Sequence, residues 1–237
     1  MSLYFIAIEP TSDLIKKIKE LQRDFAERFQ SKKAFQNFPH ITIIPPFMHD
    51  EKNESEVLGH FLKTEIQTQP FEIILKDFAC FRNKKSPVIF IKPSNADSLN
   101  QLYKEINVSM ENFNYVRNFN PHLTVAYRDL TSENFEKAWE EYEDKDFKER
   151  FDVQKVGLYK HFNQRWNLIS TKELKKSLKL FFRIFYLFFD GIVEFFLFLF
   201  HSVFSVFHGF WIGLNSHIHS TSTTFKTISA HISLIHK

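Results

Sequence analysis

Cysteine is almost missing from this chain: Cys80 is the only one in 237 residues. A lone thiol excludes an internal disulfide and any cysteine-built zinc site, and it points to a reducing compartment. An excess of charge of one sign is missing as well. With 31 Lys and Arg against 28 Asp and Glu, the net charge is only +3, so there is no global field of the kind that marks non-specific duplex binding. Any nucleic-acid contact is therefore expected to be local. The first residues, Met1-Ser2-Leu3-Tyr4-Phe5-Ile6, lack the basic flank, apolar stretch and cleavage region of a secretory signal. A cytoplasmic protein is expected.

What the chain does have is a repeat. Phe38-Pro39-His40-Ile41-Thr42-Ile43 is echoed by Phe119-Asn120-Pro121-His122-Leu123-Thr124-Val125. Random order of these residues predicts roughly 0.4 Pro-His steps, yet both that occur continue as aliphatic, Thr, aliphatic. The echo extends upstream, where Ile6-Ala7-Ile8-Glu9-Pro10 matches Ile89-Phe90-Ile91-Lys92-Pro93. The proline-to-histidine distance is 30 residues in the first copy and 29 in the second. Shared spacing over that length implies two copies of one supersecondary unit.

The patterning around these copies reads as strand, helix, His strand, helix, performed twice with extra strands. Tyr4 to Ile8 alternates as a strand, and Leu14, Ile18, Leu21 and Phe25 give a helix through about Phe29. The His40 strand is expected to stop at Pro45-Pro46, because proline cannot donate to a ladder. Asp50 to Thr64 reads as a second helix. Phe71 to Phe81 and Val88 to Lys92 read as a hairpin around the basic turn Arg82-Asn83-Lys84-Lys85. A helix to about Phe113 precedes the His122 strand, a further helix runs from Thr131 to about Tyr142, and Val153 to Tyr159 and Trp166 to Ile169 close the fold as two strands. The expectation is an α+β fold over residues 1–171, with two pseudo-symmetric lobes, each an antiparallel sheet with helices on its outer face, and a groove between them.

Beyond about Lys172 the composition changes. Twelve phenylalanines fall between Leu178 and Leu214, and Phe195 to Leu214 is a run of 20 residues without Asp, Glu, Lys or Arg, long enough to span a hydrocarbon core. Lys172, Lys175, Lys176, Lys179 and Arg183 precede it, so an anchor would leave the front part cytoplasmic. The alternative is a non-native extension not shaped by folding, such as a shifted reading frame. Residues 172–237 are therefore a Phe-rich tail with two readings.

The chemistry lies in the repeat. Side chains alternate along a strand, so His40 and Thr42 share one face while Ile41 and Ile43 take the other, and the second copy does the same. One neutral imidazole can accept a proton while a second, protonated, donates one. His40 and His122 are thus candidate catalytic residues, and the hydroxyls of Thr42 and Thr124 can bind non-bridging phosphate oxygens. A single His-x-Thr is usually an ordinary half-buried pair, but packing does not call for two such copies. Such a clamp suits in-line displacement at phosphorus without a metal or cofactor. A zinc reading fails on ligand count, since neither strand supplies a nearby Asp, Glu or Cys on the same face.

These residues resemble the 2H phosphoesterase superfamily, in its bacterial 2'-5' RNA ligase or cyclic phosphodiesterase branch, which is named for two His-x-Thr/Ser motifs on pseudo-symmetric lobes. The resemblance spans residues 2–170; the tail has no counterpart. It implies hydrolysis of 2',3'-cyclic phosphates to 2'-phosphates, sometimes with reversible joining of RNA ends through a 2'-5' linkage. Within it, His122 is the base that activates water and His40 the acid for the leaving ribose oxygen, although the symmetric repeat also permits the reverse. Where many relatives carry a basic residue right after the second motif, this chain has Ala126-Tyr127 and then Arg128. Phe47 and Tyr127 are candidates to stack a base, with core packing the plainer role for Phe47, and Arg128 is a candidate substrate contact. Arg82, Lys84 and Lys85 could touch phosphates, but a solvated turn accounts for them. The implied partners are RNA ends or small cyclic and 2'-5' linked nucleotides, with the membrane a further one if the tail is an anchor; no protein partner is implied. A binding module without catalysis is the alternative.

Overall fold

The computed structural model describes residues 1–175. Strand β1 (Ser2–Ile8) leads into helix α1 (Ser12–Arg28), whose buried Leu14, Ile18, Gln22 and Phe25 recur every three or four residues and so form one stripe. A short helix α2 (Lys32–Gln36) precedes β2 (Ile41–His49). Then come α3 (Glu54–Lys63), β3 (Phe71–Phe81), β4 (Val88–Pro93) and α4 (Asp97–Ser109). The chain closes with β5 (Leu123–Ala126), α5 (Ser132–Tyr142), β6 (Lys148–Val153), β7 (Lys155–Phe162) and β8 (Arg165–Glu173). Helix α5 starts where Thr131 accepts a hydrogen bond from the Asn134 amide (3.2 Å), an N-cap contact that satisfies one of the free amides of the first turn.

The strands form one antiparallel sheet of eight in the order β6-β3-β4-β5-β2-β1-β7-β8. The two expected lobes are its two four-stranded halves, and they meet where β2 pairs with β5 at Ile41 opposite Leu123. The fold is therefore α+β with two related lobes that share a sheet. Among the described residues, helices cover one face only. There α1 lies against β5 and α4 against β2, so each lobe's first helix packs beneath the other lobe's histidine strand. The core between helices and sheet holds Ile6, Ile18, Phe25, Ile41, Ile43, Phe47, Ile91, Leu102, Leu123 and Val125 among others, all under 2% exposed. Burial of each such side chain stabilises the fold by about 1.5–3 kcal/mol.

Three expectations are corrected. Strand β2 continues through Pro45-Pro46 to His49, because β1 shifts register between Tyr4 and Ile6 and the prolines fall in that irregularity, where no ladder amide is required. Strand β6 was not foreseen: its uncovered face carries Lys148, Arg150 and Asp152, so only Phe151 and Val153 mark it as apolar. The front domain also runs past residue 171. Strand β8 reaches Glu173, Leu174 is buried, and its amide donates to the Gln154 carbonyl (2.7 Å). The anchor and extension readings of the tail, including 195–214, lie outside the described residues. Among the described residues no helix is long and apolar enough to cross a membrane.

Candidate active site

The pairing of Ile41 with Leu123 sets the site. Extending that antiparallel register by one residue each way puts His40 beside Thr124 and Thr42 beside His122. Directly opposed residues stand about 4.5–5.5 Å apart and diagonal ones about 7–8 Å, so the two imidazoles sit diagonally across neighbouring strands with a hydroxyl next to each. Ile41, Ile43, Leu123 and Val125 are buried toward the helices. The alternation of a strand then sends His40, Thr42, His122 and Thr124, all half-buried, to the face that helices leave uncovered. Helix α1 steadies this point from below, where the buried Gln22 donates its side-chain amide to the Thr124 carbonyl (3.0 Å).

Both imidazoles are oriented in the same way. His40 Nδ1 lies 2.8 Å from the Phe38 carbonyl and His122 Nδ1 lies 2.7 Å from the Asn120 carbonyl. A carbonyl can only accept, so Nδ1 must carry the hydrogen and Nε2 of the neutral ring keeps its lone pair. Each ring therefore presents Nε2 as the atom that takes or gives a proton. Burial pushes His40 down to about 4, with the positive charge of His122 adding to the effect. Burial also lowers His122. Both rings are thus neutral near pH 7.

Aromatic rings wall the two histidines. The Phe5 ring centroid is 5.0 Å and the Phe38 centroid 4.8 Å from that of His40. Tyr159 stacks on Phe38 at 4.8 Å, and Trp166 lies 4.4 Å from Phe5. Around His122 the neighbours are Phe90 at 5.0 Å and Phe81 at 5.3 Å. Gly157 makes room for this wall: a β-carbon there would come within 2.7 Å of the Tyr159 ring and 2.8 Å of Leu168, so a larger residue would have to displace those side chains. These aromatic neighbours were missed from the sequence. The signal available was alternation, since Phe5 and Phe90 each sit between core residues on the opposite face.

The substrate contacts expected from sequence fare differently. Phe47 is 1% exposed and packs among Tyr4, Phe113 and Tyr115 on the helix side; it is a core residue and cannot stack a base, because it follows β2 to the covered face. Tyr127 and Arg128 lie beyond the end of β5, at its junction with α2. The Tyr127 hydroxyl accepts from Asn37 (3.0 Å), its amide donates to Ser31 Oγ (3.2 Å), and the Arg128 guanidinium sits 5.2 Å from the Tyr127 ring. Arg128 has φ 59°, and Asp129 after it accepts from the Lys32 and Lys33 amides at the start of α2. Both residues thus follow the last paired residue of β5, and the chain turns at Arg128. In the hairpin turn, Arg82 is committed to Glu136 (3.0 Å). Among the described residues no three His, Cys, Asp or Glu side chains converge to hold a metal ion.

An antiparallel sheet that carries two Nδ1-anchored imidazoles and two threonines on one open face defines a phosphoesterase of the 2H type. A model of the 2'-5' RNA ligase superfamily matches residues 10–165, and the chain belongs to that family. It is 27% identical over 141 residues to the RNA 2',3'-cyclic phosphodiesterase of Thermotoga maritima, an alignment covering 58% of this chain and 75% of the relative. Two solved structures share the fold: E. coli LigT complexed with 3'-AMP (TM-score 0.52, 19% identity, 74% of this chain and 99% of that one) and a Thermus thermophilus protein (TM-score 0.55, 16% identity, 75% and 100%).

Proposed function

We propose that the protein hydrolyses 2',3'-cyclic phosphate or 2'-5' linked ends of RNA or nucleotides, without a metal, by acid-base catalysis between His40 and His122. The observation that carries this reading is the diagonal pair of imidazoles, each held through Nδ1 and flanked by a threonine. Thr42 and Thr124 bind the non-bridging phosphate oxygens. His122 Nε2 takes a proton from water as the water oxygen bonds to phosphorus, and His40 Nε2–H gives a proton to the leaving 3'-oxygen as its bond to phosphorus breaks, which leaves a 2'-phosphate. With a ribose 5'-hydroxyl in place of water, the same two transfers form a 2'-5' link as the 3'-oxygen leaves as a hydroxyl, and the reverse reaction opens that link. A reducing, cytoplasmic setting fits the single thiol.

The register also favours one division of the two roles. One step beyond Ile8 opposite Ile41, Glu9 stands beside His40, and one step beyond Ile91 opposite Leu123, Lys92 stands beside His122. A carboxylate favours the imidazolium and an ammonium favours the neutral ring, so Glu9 and the bound phosphate support protonated His40 as acid, and Lys92 supports neutral His122 as base.

His40→Ala and His122→Ala are each expected to lower turnover of a 2',3'-cyclic nucleotide by about 10²–10⁴-fold, the usual contribution of a positioned acid or base, with the far-UV spectrum unchanged and EDTA without effect on the parent. Turnover retained in either variant removes the assignment.

A further inference from the structure

We propose that Lys92, Lys76 and Lys148 form a phosphate track leading away from His122, so that the preferred substrate is a polynucleotide strand and not a free nucleotide. This rests on the function proposed above and names its substrate class. The pairing supports it step by step. Lys148 opposes Lys76 across β6 and β3, Lys76 opposes Lys92 across β3 and β4, and Lys92 falls beside His122 when the β4–β5 register is extended by one residue. Leu75 and Ile91, next to Lys76 and Lys92, and Phe151, three residues along β6 from Lys148, point into the core, so by alternation all three lysines share the open face with the imidazoles. All three are exposed. With strands about 4.8 Å apart, the row covers ~14 Å from His122 to Lys148, enough to follow a few phosphates of an extended strand.

Folding offers no reason for this row. Like charges directly opposite each other in a sheet are destabilising, and the nearest acidic partner, Asp77, is 3.8 Å from Lys76 Nζ. Lysines do protect sheet edges from mispairing, which accounts for Lys148 on the edge strand β6. It does not account for Lys76 and Lys92, whose strands have neighbours on both sides. The other lobe supplies the contrast. Its matching row reads Glu9, Lys155, Glu173, with Lys155 opposite Glu173, so the signs alternate and cancel. A polyanion is therefore drawn to one side of the groove.

The test uses the full chain, an oligonucleotide of about eight residues ending in a 2',3'-cyclic phosphate, and the matching mononucleotide. Binding of the labelled oligonucleotide is measured against salt, and hydrolysis of the mononucleotide is followed separately. Three neutralised phosphates predict a log–log salt slope near −2, from about −0.7 per phosphate. The double variant Lys76→Gln, Lys148→Gln is expected to weaken oligonucleotide binding about tenfold at low salt and to reduce the slope to about −0.7. Oligonucleotide binding with the parent's affinity and slope in the double variant overturns the track. Track-dependent binding without any mononucleotide turnover upholds the track and overturns the enzymatic reading; turnover without salt-dependent binding does the opposite.

Discussion

The two halves of the sheet begin alike and leave their histidines differently. Each has strand, helix and a Pro-His-aliphatic-Thr strand, and each anchors its imidazole to the carbonyl two residues earlier. After Thr42, however, β2 runs on to His49 because β1 pairs along it, and Phe47 is carried into the core. After Thr124, β5 ends at Ala126 and the chain turns at left-handed Arg128, so that Asp129, at the position matching Phe47, binds the first amides of α2. Only the stretch that places the imidazole and hydroxyl is held in common. The flanks are free to diverge, and they do so in charge as well, with Glu9 in one half where Lys92 stands in the other.

The largest expected effect on stability breaks the first half. Phe47→Ala should cost about 3–5 kcal/mol in urea unfolding, as for other buried phenylalanines, whereas Asp129→Ala, which removes only a helix cap, should cost about 1 kcal/mol. Equal losses would mean that the two exits contribute alike. The next effect sharpens the comparison between the histidines. His40 titrates near 4 when folded and near 6.5 when unfolded, so the unfolded chain binds more protons in that window. Stability from this group is complete above about pH 6.5 and is lost as pH falls toward 4, by up to about 2 kcal/mol between pH 7 and 5. His40→Asn should flatten that part of the unfolding profile, and an unchanged slope would count against burial as the cause. The smallest effect concerns the charges beside the rings. Lys92→Gln should move the acid limb of the kcat profile, set in the substrate complex by His122 as base, upward by a few tenths of a pH unit. Glu9→Gln should move the alkaline limb, set by His40 as acid, downward by a similar amount. Movement of the other limb in each variant would exchange the two roles.

Much of the site was legible because strand alternation is a local property. Once His40 and Thr42, or His122 and Thr124, are two residues apart on a strand, they share a face whatever surrounds them. The repeat spacing likewise announced two related lobes. The aromatic wall was not legible, because Phe5, Phe81 and Trp166 come from strands far apart in sequence. The end of β5 before Tyr127 was not legible either, because the left-handed turn at Arg128 lacks the glycine or asparagine that would normally signal a turn. Phe47 followed the same logic in reverse, since the prolines before it looked like a stop and were a bulge.

The sequence by itself determined the two motifs, the face each one shares and the helices that bury the other face, since these follow from periodicities of two and 3.6 residues. Only the tertiary structure decided that Ile41 meets Leu123, and with it the diagonal of imidazoles, the threonine beside each, and the lysine row running out from His122. Register between strands more than 80 residues apart is set by how two lobes bury their apolar faces together, and a slip of one residue would turn every one of these side chains away from the groove.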